Sequence, residues 1–408
     1  MRDGTLPGVS EDDKRVVCHV DMDCFYAACE RLREPALRGE PLVVGMGYEP
    51  GDSNGAVATA SYEARAFGVE SAQPISVALD ALPRKIEAAT DPEMDVDSAG
   101  FYRPVDLDYY NDVAADVKEI LREAADTVRE VSIDEAYLDV TEQVGWEDDP
   151  RAFGAQLKAE IRDTVGVTAS IGIAPTMSAA KVASDHDKPD GLVVVEPDTV
   201  QSFLAPLDIE AVHGIGPVTA RNLREMGIET AGDLAAAPPS RIRERFGERG
   251  REVQRFAGGV DDREVEPRGK PKSLSRESAF TEPTDDSEQT RDRIRLLASD
   301  VAERATRQGA LYQTIGIKVV VPPFDVNTRA HSLSGPVEND DLVESVALDL
   351  FTEFTDTRVR KLGVSVSNLS FADEAQAKLT GFTDDGNTSR AGARTDAMSR
   401  GQRSLTDF

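Results

Sequence analysis

The chain of 408 residues carries 46 Lys and Arg against 75 Asp and Glu, a net charge of −29 at neutral pH. That length allows several domains with ample core, and no apolar run approaches the roughly eighteen residues a membrane span needs. The polar opening segment, residues 1–14, lacks the apolar core of a secretion signal, so a soluble, cytoplasmic protein without membrane contact is expected.

A nucleic-acid binder is expected to be basic, and taken alone this charge argues against one. The acids, however, are spread along the whole chain, the pattern of a protein adapted to molar salt, as in a halophilic archaeon, where self-repulsion is screened within a few ångströms. Residues 241–276 run the other way, with eleven Arg and Lys against seven acids. The cysteines Cys18, Cys24 and Cys29 form no CxxC and the four histidines are scattered, so small buried residues in a reducing compartment are expected, not a zinc site.

In chain order, residues 15–24 read as a strand and 25–32 as a helix, joined through His19-Val20-Asp21-Met22-Asp23-Cys24-Phe25-Tyr26. Residues 41–44 form a second strand and 45–55 a Gly- and Asp-rich loop. Residues 57–68 turn from strand into a helix capped by Gly68, with Tyr62 and Arg65 on one helix face. Glu87, Asp91, Glu93, Asp95 and Asp97 make 87–101 a solvated acidic loop. A helix over 108–125 precedes a strand holding Ser132-Ile133-Asp134-Glu135-Ala136-Tyr137. A helix over 153–165 and a strand over 168–174 lead to a loop, 180–191, that contains Lys188-Pro189-Asp190-Gly191.

Between helical runs in 207–236, Ile209-Glu210-Ala211-Val212-His213-Gly214-Ile215-Gly216-Pro217 has the helix–hairpin–helix pattern. Gly214 and Gly216 let backbone N–H groups approach a phosphate without side-chain charge, and His213 is a hairpin residue. A basic, turn-rich linker follows. Residues 276–371 alternate strand and helix, with helices over 291–308 and 341–354 and strands over 313–321 and 359–369, a small α+β sheet. Residues 372–398 are poor in apolar side chains and are expected to be disordered.

Carboxylates inside strand-like apolar runs are costly to bury unless a cation meets them. Either acidic motif alone reads as a strand-end turn or a surface ion pair. Brought together from adjacent strands, Asp21, Asp134 and Glu135 would form an oxygen cage suited to Mg²⁺, the equipment of two-metal phosphoryl transfer. With both motifs in this order, the chain resembles the Y-family DNA polymerases, in particular the polymerase IV branch of translesion enzymes, from about residue 15 to about residue 370.

The resemblance implies a multidomain fold mixing α/β and α+β parts, a right-hand polymerase. The palm would be 15–24 and 102–195, the fingers 25–101, the helix–hairpin–helix thumb 196–260, the linker 261–275 and the little finger 276–371. It implies two Mg²⁺ per active site on Asp21, Asp134, Glu135 and the Met22 carbonyl. Tyr26 would be the steric gate against ribonucleotides, and Tyr62, Arg65 and Lys188 would hold the dNTP triphosphate. Asp23 and Asp139 would be structural. Gly214, Gly216, Lys270, Lys272 and Arg276 would contact primer-template DNA. In the tail 372–408, Gln402, Leu405 and Phe408 match the spacing of a sliding-clamp peptide, although the usual final pair of aromatics is Asp407-Phe408 here. The enzyme would act as a monomer, with low fidelity, because small residues (Val57, Ala58, Ala60) would line the base pair, and without proofreading. Two other readings are a nucleotide cyclase with a similar palm, against which the hairpin motif and basic linker argue, and a non-catalytic clamp-bound relative, which would lack the carboxylates.

Salt adaptation has a direct readout. Self-repulsion destabilises the compact state at low ionic strength, so the melting temperature is expected to rise from low to molar KCl; a flat or falling curve counts against it.

Overall fold

The computed structural model describes residues 15–371. Residues 372–408, with Gln402, Leu405 and Phe408, lie outside the described residues. The chain divides into two compact units, the first reaching Arg268 and the second beginning at Gly269.

The first unit runs β1 (Val17–Met22), α1 (Phe25–Arg33), β2 (Leu42–Met46), β3 (Ala56–Ala60), α2 (Tyr62–Arg65), α3 (Ile75–Ala81), α4 (Lys85–Ala88), β4 (Phe101–Pro104), α5 (Leu107–Ala124), β5 (Thr127–Glu130) and β6 (Glu135–Asp139). It continues with α6 (Pro150–Val165), β7 (Ala169–Ala174), α7 (Met177–His186), β8 (Leu192–Val194), α8 (Val200–Leu204), α9 (Pro217–Glu225), α10 (Ala231–Ala236) and α11 (Pro239–Ala257). Five strands form the main sheet in the order β5-β6-β1-β7-β8, with β1 antiparallel to both neighbours. A separate sheet, β3-β2-β4, belongs to the segment between β1 and α5.

Because β1 is central and covered on both faces, all six of its residues are buried and no apolar–polar alternation marks it. Period-2 geometry still sorts them. Cys18, Val20 and Met22 join the core built with Tyr110, Val113, Val117, Ile120 and Leu121 of α5 and with Leu157 and Ile161 of α6. Val17, His19 and Asp21 take the other face, where Val17 packs with Met177, Ala180 and Ala183 of α7. The helices on the first face carry their own signals. The α5 spacing is amphipathic and Asp106 caps it through Tyr109 N–H; Asp149 caps α6 through Ala152 N–H, and Gly166, at φ 86°, ends it.

On the second face one glycine sets the distance. A Cβ on Gly172 of β7 would lie 2.1 Å from the Ala180 carbonyl oxygen and 2.3 Å from Ser184 N. Only glycine lets α7, lined here by small residues, lie directly on the sheet. Gly172 pairs with His19 across β1 and β7, two residues from Asp21.

The second unit comprises β9 (Ser273–Thr284), α12 (Ser287–Arg307), β10 (Ala310–Val321), β11 (Asp325–Val337), α13 (Asp340–Phe351), β12 (Val359–Ser367) and β13 (Ser370–Phe371). Four antiparallel strands in the order β11-β10-β12-β9 bury Ile315, Ile317 and Val319 against Ile294, Leu297 and Val301 of α12 and Val343 and Phe351 of α13.

Several local expectations shift. The last part of the expected linker is the start of β9, since Ser273 already pairs with Ser367. β11, mostly exposed, and β4, which pairs parallel to β2, have too little apolar patterning to be read as strands. Within 87–101 the acidic segment holds a 3₁₀ turn at Val96–Ser98, and Phe101 opens β4. The segment expected as a loop over 180–191 is helical through His186, because its small residues are there to contact β7 and not to turn the chain.

Gly172→Ala is expected to destabilise the protein by about 3 kcal/mol, the upper range for overpacking a core that cannot relax. Unfolding by denaturant measures it, and a change under about 0.5 kcal/mol would mean that α7 is free to move.

Candidate active site

β1 and β6 place Asp21 opposite Glu135 in register at one end of the strand pair. The turn between β5 and β6 is closed by Val131 N–H and Ser132 N–H, which donate to the Glu135 carbonyl at 2.9 and 3.3 Å. Asp134 therefore lies in that turn and not within a strand. Its carbonyl accepts from Met22 N–H at 3.0 Å, and its Oδ1 accepts from Ser132 Oγ at 2.5 Å. Two of the three expected carboxylates are thus brought together. Among the described residues no group of three His, Cys, Asp or Glu side chains is arranged to hold a metal ion.

The counter-charge comes from α7 and the turn after it. Lys181 Nζ lies 2.9 Å from Asp21 Oδ2, 2.7 Å from Glu135 Oε1 and 3.1 Å from Asp185 Oδ2. Lys188 Nζ lies 2.7 Å from Asp21 Oδ1 and 2.8 Å from Asp185 Oδ1. Burial works against a charged Asp21, but Lys181 and Lys188 outweigh it and hold its pKa far below the usual carboxylate value. Burial, with the Asp21 carboxylate beside it, pushes Glu135 up. Both lysines are held above their ordinary value, because Asp21 and Asp185 overcome the burial that would lower them. Carboxylate oxygens are the donors a hard divalent cation takes, and here buried Asp21 and half-buried Glu135 already hold positive charge between them. Asp21 and Glu135 suit such an ion, while the Asp134 side chain is held by Ser132.

Asp23, only 4% exposed, points elsewhere. It accepts from Tyr62 Oη at 3.3 Å, from Ser170 Oγ at 2.8 Å and from Asp190 N–H at 2.8 Å. One buried carboxylate thus ties α2, the sheet and the turn carrying Lys188. Beside it, the Arg65 guanidinium lies 5.1 Å from the Tyr62 ring centre while its Nε donates to the Ala60 carbonyl at 3.0 Å. Tyr26, half-buried, stacks on Tyr110 at 4.7 Å, and Tyr110 Oη donates to buried Glu30 at 2.8 Å. Cys24, at φ 45°, makes the sharp turn between β1 and α1, and its thiol donates to the Ala60 carbonyl. Asp139 accepts from the main chain and hydroxyl of Thr141.

In the hairpin, Gly214 has φ 86°, and a Cβ there would meet the Arg249 guanidinium at 2.5 Å. Gly216 is exposed and opens α9, ahead of Pro217. His213 packs near Phe256, and burial followed by Arg263 lowers its pKa to about 4. In the second unit, Lys270 lies over the Phe371 ring, Lys272 is exposed, and Arg276 on β9 is 3.6 Å from Asp300.

Lys181 and Asp185 are absent from the expected site. A signal was present: Lys181 lies four residues before Asp185 and seven before Lys188, a spacing that aligns them on a helix but means nothing on a loop. Lys181 and Glu135 also line a cavity of about 530 Å³, together with His19, Tyr137, His213 and Arg263.

Known proteins are similar to this chain along most of its length. The impB/mucB/samB family matches residues 20–185, its C-terminal domain matches 271–379, and the IMS family HHH motif matches 197–228. The DNA polymerase IV of Halobacterium salinarum is 60% identical over 380 residues, covering 93% of this chain and 91% of the relative. The DNA polymerase IV of Methanoculleus marisnigri is 38% identical, covering 90% and 98%. A solved Y-family DNA polymerase chimera of Dbh and Dpo4 superposes with a TM-score of 0.73 at 28% identity, covering 87% of this chain and 99% of its own.

Proposed function

The chain belongs to the polymerase IV branch of the Y-family DNA polymerases, and from that premise we propose that the Asp21–Glu135 pair is the metal-holding centre at which it extends a primer. It is a DNA-directed DNA polymerase of the translesion class. The observation that carries the assignment is the in-register pair of a buried and a half-buried carboxylate, bridged by Lys181 and flanked at Asp21 by Lys188.

When bound on Asp21, Glu135, Asp134 and the Met22 carbonyl, two Mg²⁺ ions supply a lowered pKa at the primer 3′-hydroxyl and charge neutralisation as pyrophosphate leaves. The protein's own groups do the positioning. Lys188, 2.7 Å from Asp21, Tyr62, linked to the Lys188 turn through Asp23, and Arg65 beside Tyr62 would clamp the dNTP triphosphate. Tyr26, pinned flat on Tyr110, presents a fixed ring edge beneath the sugar, where a 2′-hydroxyl would clash. Val57, Ala58 and Ala60 leave base-pair shape weakly constrained, which suits damaged templates and low fidelity. The open N–H groups at Gly214 and Gly216 take a backbone phosphate of the primer-template, and Lys270, Lys272 and Arg276 take others. A single copy holds every group named, consistent with a monomer. The helices offer no span for a membrane, since none among the described residues is long and apolar enough to cross one.

Primer extension with dNTPs and Mg²⁺ in molar KCl tests the centre. Asp21→Ala and Glu135→Ala are each expected to lose at least about a hundredfold in rate while DNA binding survives, since they stabilise charge only during transfer. Near wild-type extension by either removes the assignment. In the same assay Tyr26→Ala is expected to admit ribonucleotides with little loss of dNTP use.

Gln402, Leu405 and Phe408 dock on a sliding clamp in this reading, a proposal carried by their spacing. Deleting residues 402–408 is expected to leave unassisted extension intact and to abolish stimulation by the clamp. Equal stimulation of both proteins would exclude it.

A further inference from the structure

The Lys181 ammonium has a place no polymerase step above requires. It sits between Asp21 Oδ2 and Glu135 Oε1, at 2.9 and 2.7 Å, with its side chain 19% exposed. We propose that Lys181 is a built-in counter-ion that occupies the carboxylate pair between turnovers, competes with the divalent ions for it, and withdraws to Asp185 as they load. This rests on the assignment of Asp21 and Glu135 as metal-holding residues.

Three observations support it. Two carboxylates in register on neighbouring strands repel, and the burial of Asp21 and partial burial of Glu135 leave little water to screen them, so without a cation the end of the β1–β6 pair would be strained. Lys181 is fixed at the right height, because the close contact at Gly172 holds α7 on the sheet. Asp185, one helical turn on, accepts the same ammonium at 3.1 Å and is about half exposed, so the side chain has a second seat within reach. An ammonium and a divalent ion cannot share those oxygens without strong repulsion, so loading displaces one by the other. Lys188 differs. It reaches only Asp21 and Asp185, not Glu135, and so does not bridge the pair. Lys181 is accordingly a positioning residue: it keeps the centre assembled and sets how much metal is needed to fill it.

The test is Mn²⁺ binding to the full-length protein in molar KCl, without DNA or nucleotide, read by electron paramagnetic resonance. Lys181→Met keeps the length and removes the charge. It is expected to bind Mn²⁺ about tenfold more tightly than wild type, since a competing unit charge is gone. Lys181→Arg is expected to stay near wild type. A lysine with a merely structural role would give weaker binding when removed, so equal or weaker affinity in Lys181→Met overturns the proposal. Asp21→Ala separates the two ideas: if it binds Mn²⁺ as wild type does, the metal assignment itself fails, whatever Lys181 does. Should Lys181→Met not fold, wild-type protein carrying ¹³C-labelled lysine decides the matter. Adding Mg²⁺ is expected to shift the Lys181 Cε resonance and leave that of Lys118, which is paired with Glu130, in place. An unmoved Lys181 signal overturns the proposal.

Discussion

The first unit turns on one electrostatic problem, two carboxylates, one buried and one half-buried, facing each other at one end of β1 and β6. The sheet places them there because β1 is central, with Asp21 two residues from His19 on the face α7 covers. Nothing in the sheet itself can neutralise them. The answer comes from α7 and its following turn, and it requires α7 to lie unusually close. Gly172, the small residues of α7 and the position of Lys181 are therefore one feature, a contact distance that becomes a charge balance.

A second carboxylate organises what surrounds the first pair. Asp23 is two residues from Asp21, so along a strand it would share that residue's face, yet the chain leaves β1 at Met22 and turns sharply at Cys24. That departure sends Asp23 to Tyr62, Ser170 and Asp190. One buried acceptor thereby joins α2 to the Lys188 turn. In this way the groups proposed to hold the triphosphate are positioned by a residue that need not touch it.

Much of this was legible in the residues. The two acidic motifs, the Tyr62–Arg65 turn, the hairpin glycines and most helices are local patterns, and local patterns survive folding. What could not be read depends on contacts distant in sequence. Asp134 looked like a strand residue because Val131 and Ile133 flank it, but Ser132 and Glu135 close a tight turn there. Residues 180–186 looked like a loop because Ala and Ser face a glycine on another strand, so the helix has no strong apolar stripe of its own. β11 carries alternating polar residues because little covers it. Lys181 escaped for the same reason as its helix: its meaning lies in what β1 and β6 bring opposite it.

The acidity of the chain finds a physical place in the same scheme. Along α11 the arginines are largely committed: Arg249 pairs with Glu252, Arg243 with Glu248 and Arg255 with Asp262. A basic count over residues 241–276 therefore overstates the charge free to meet a phosphate. Exposed ion pairs like these are weak and are screened by salt, so in molar KCl they cost little to exchange for a phosphate. The hairpin N–H groups, by contrast, carry no counter-ion to release and lose little to salt. A surface of self-paired charges, with the neutral phosphate grip proposed at the hairpin, would suit DNA binding where charge alone is screened away, while the charge of the carboxylate pair is settled locally by two lysines.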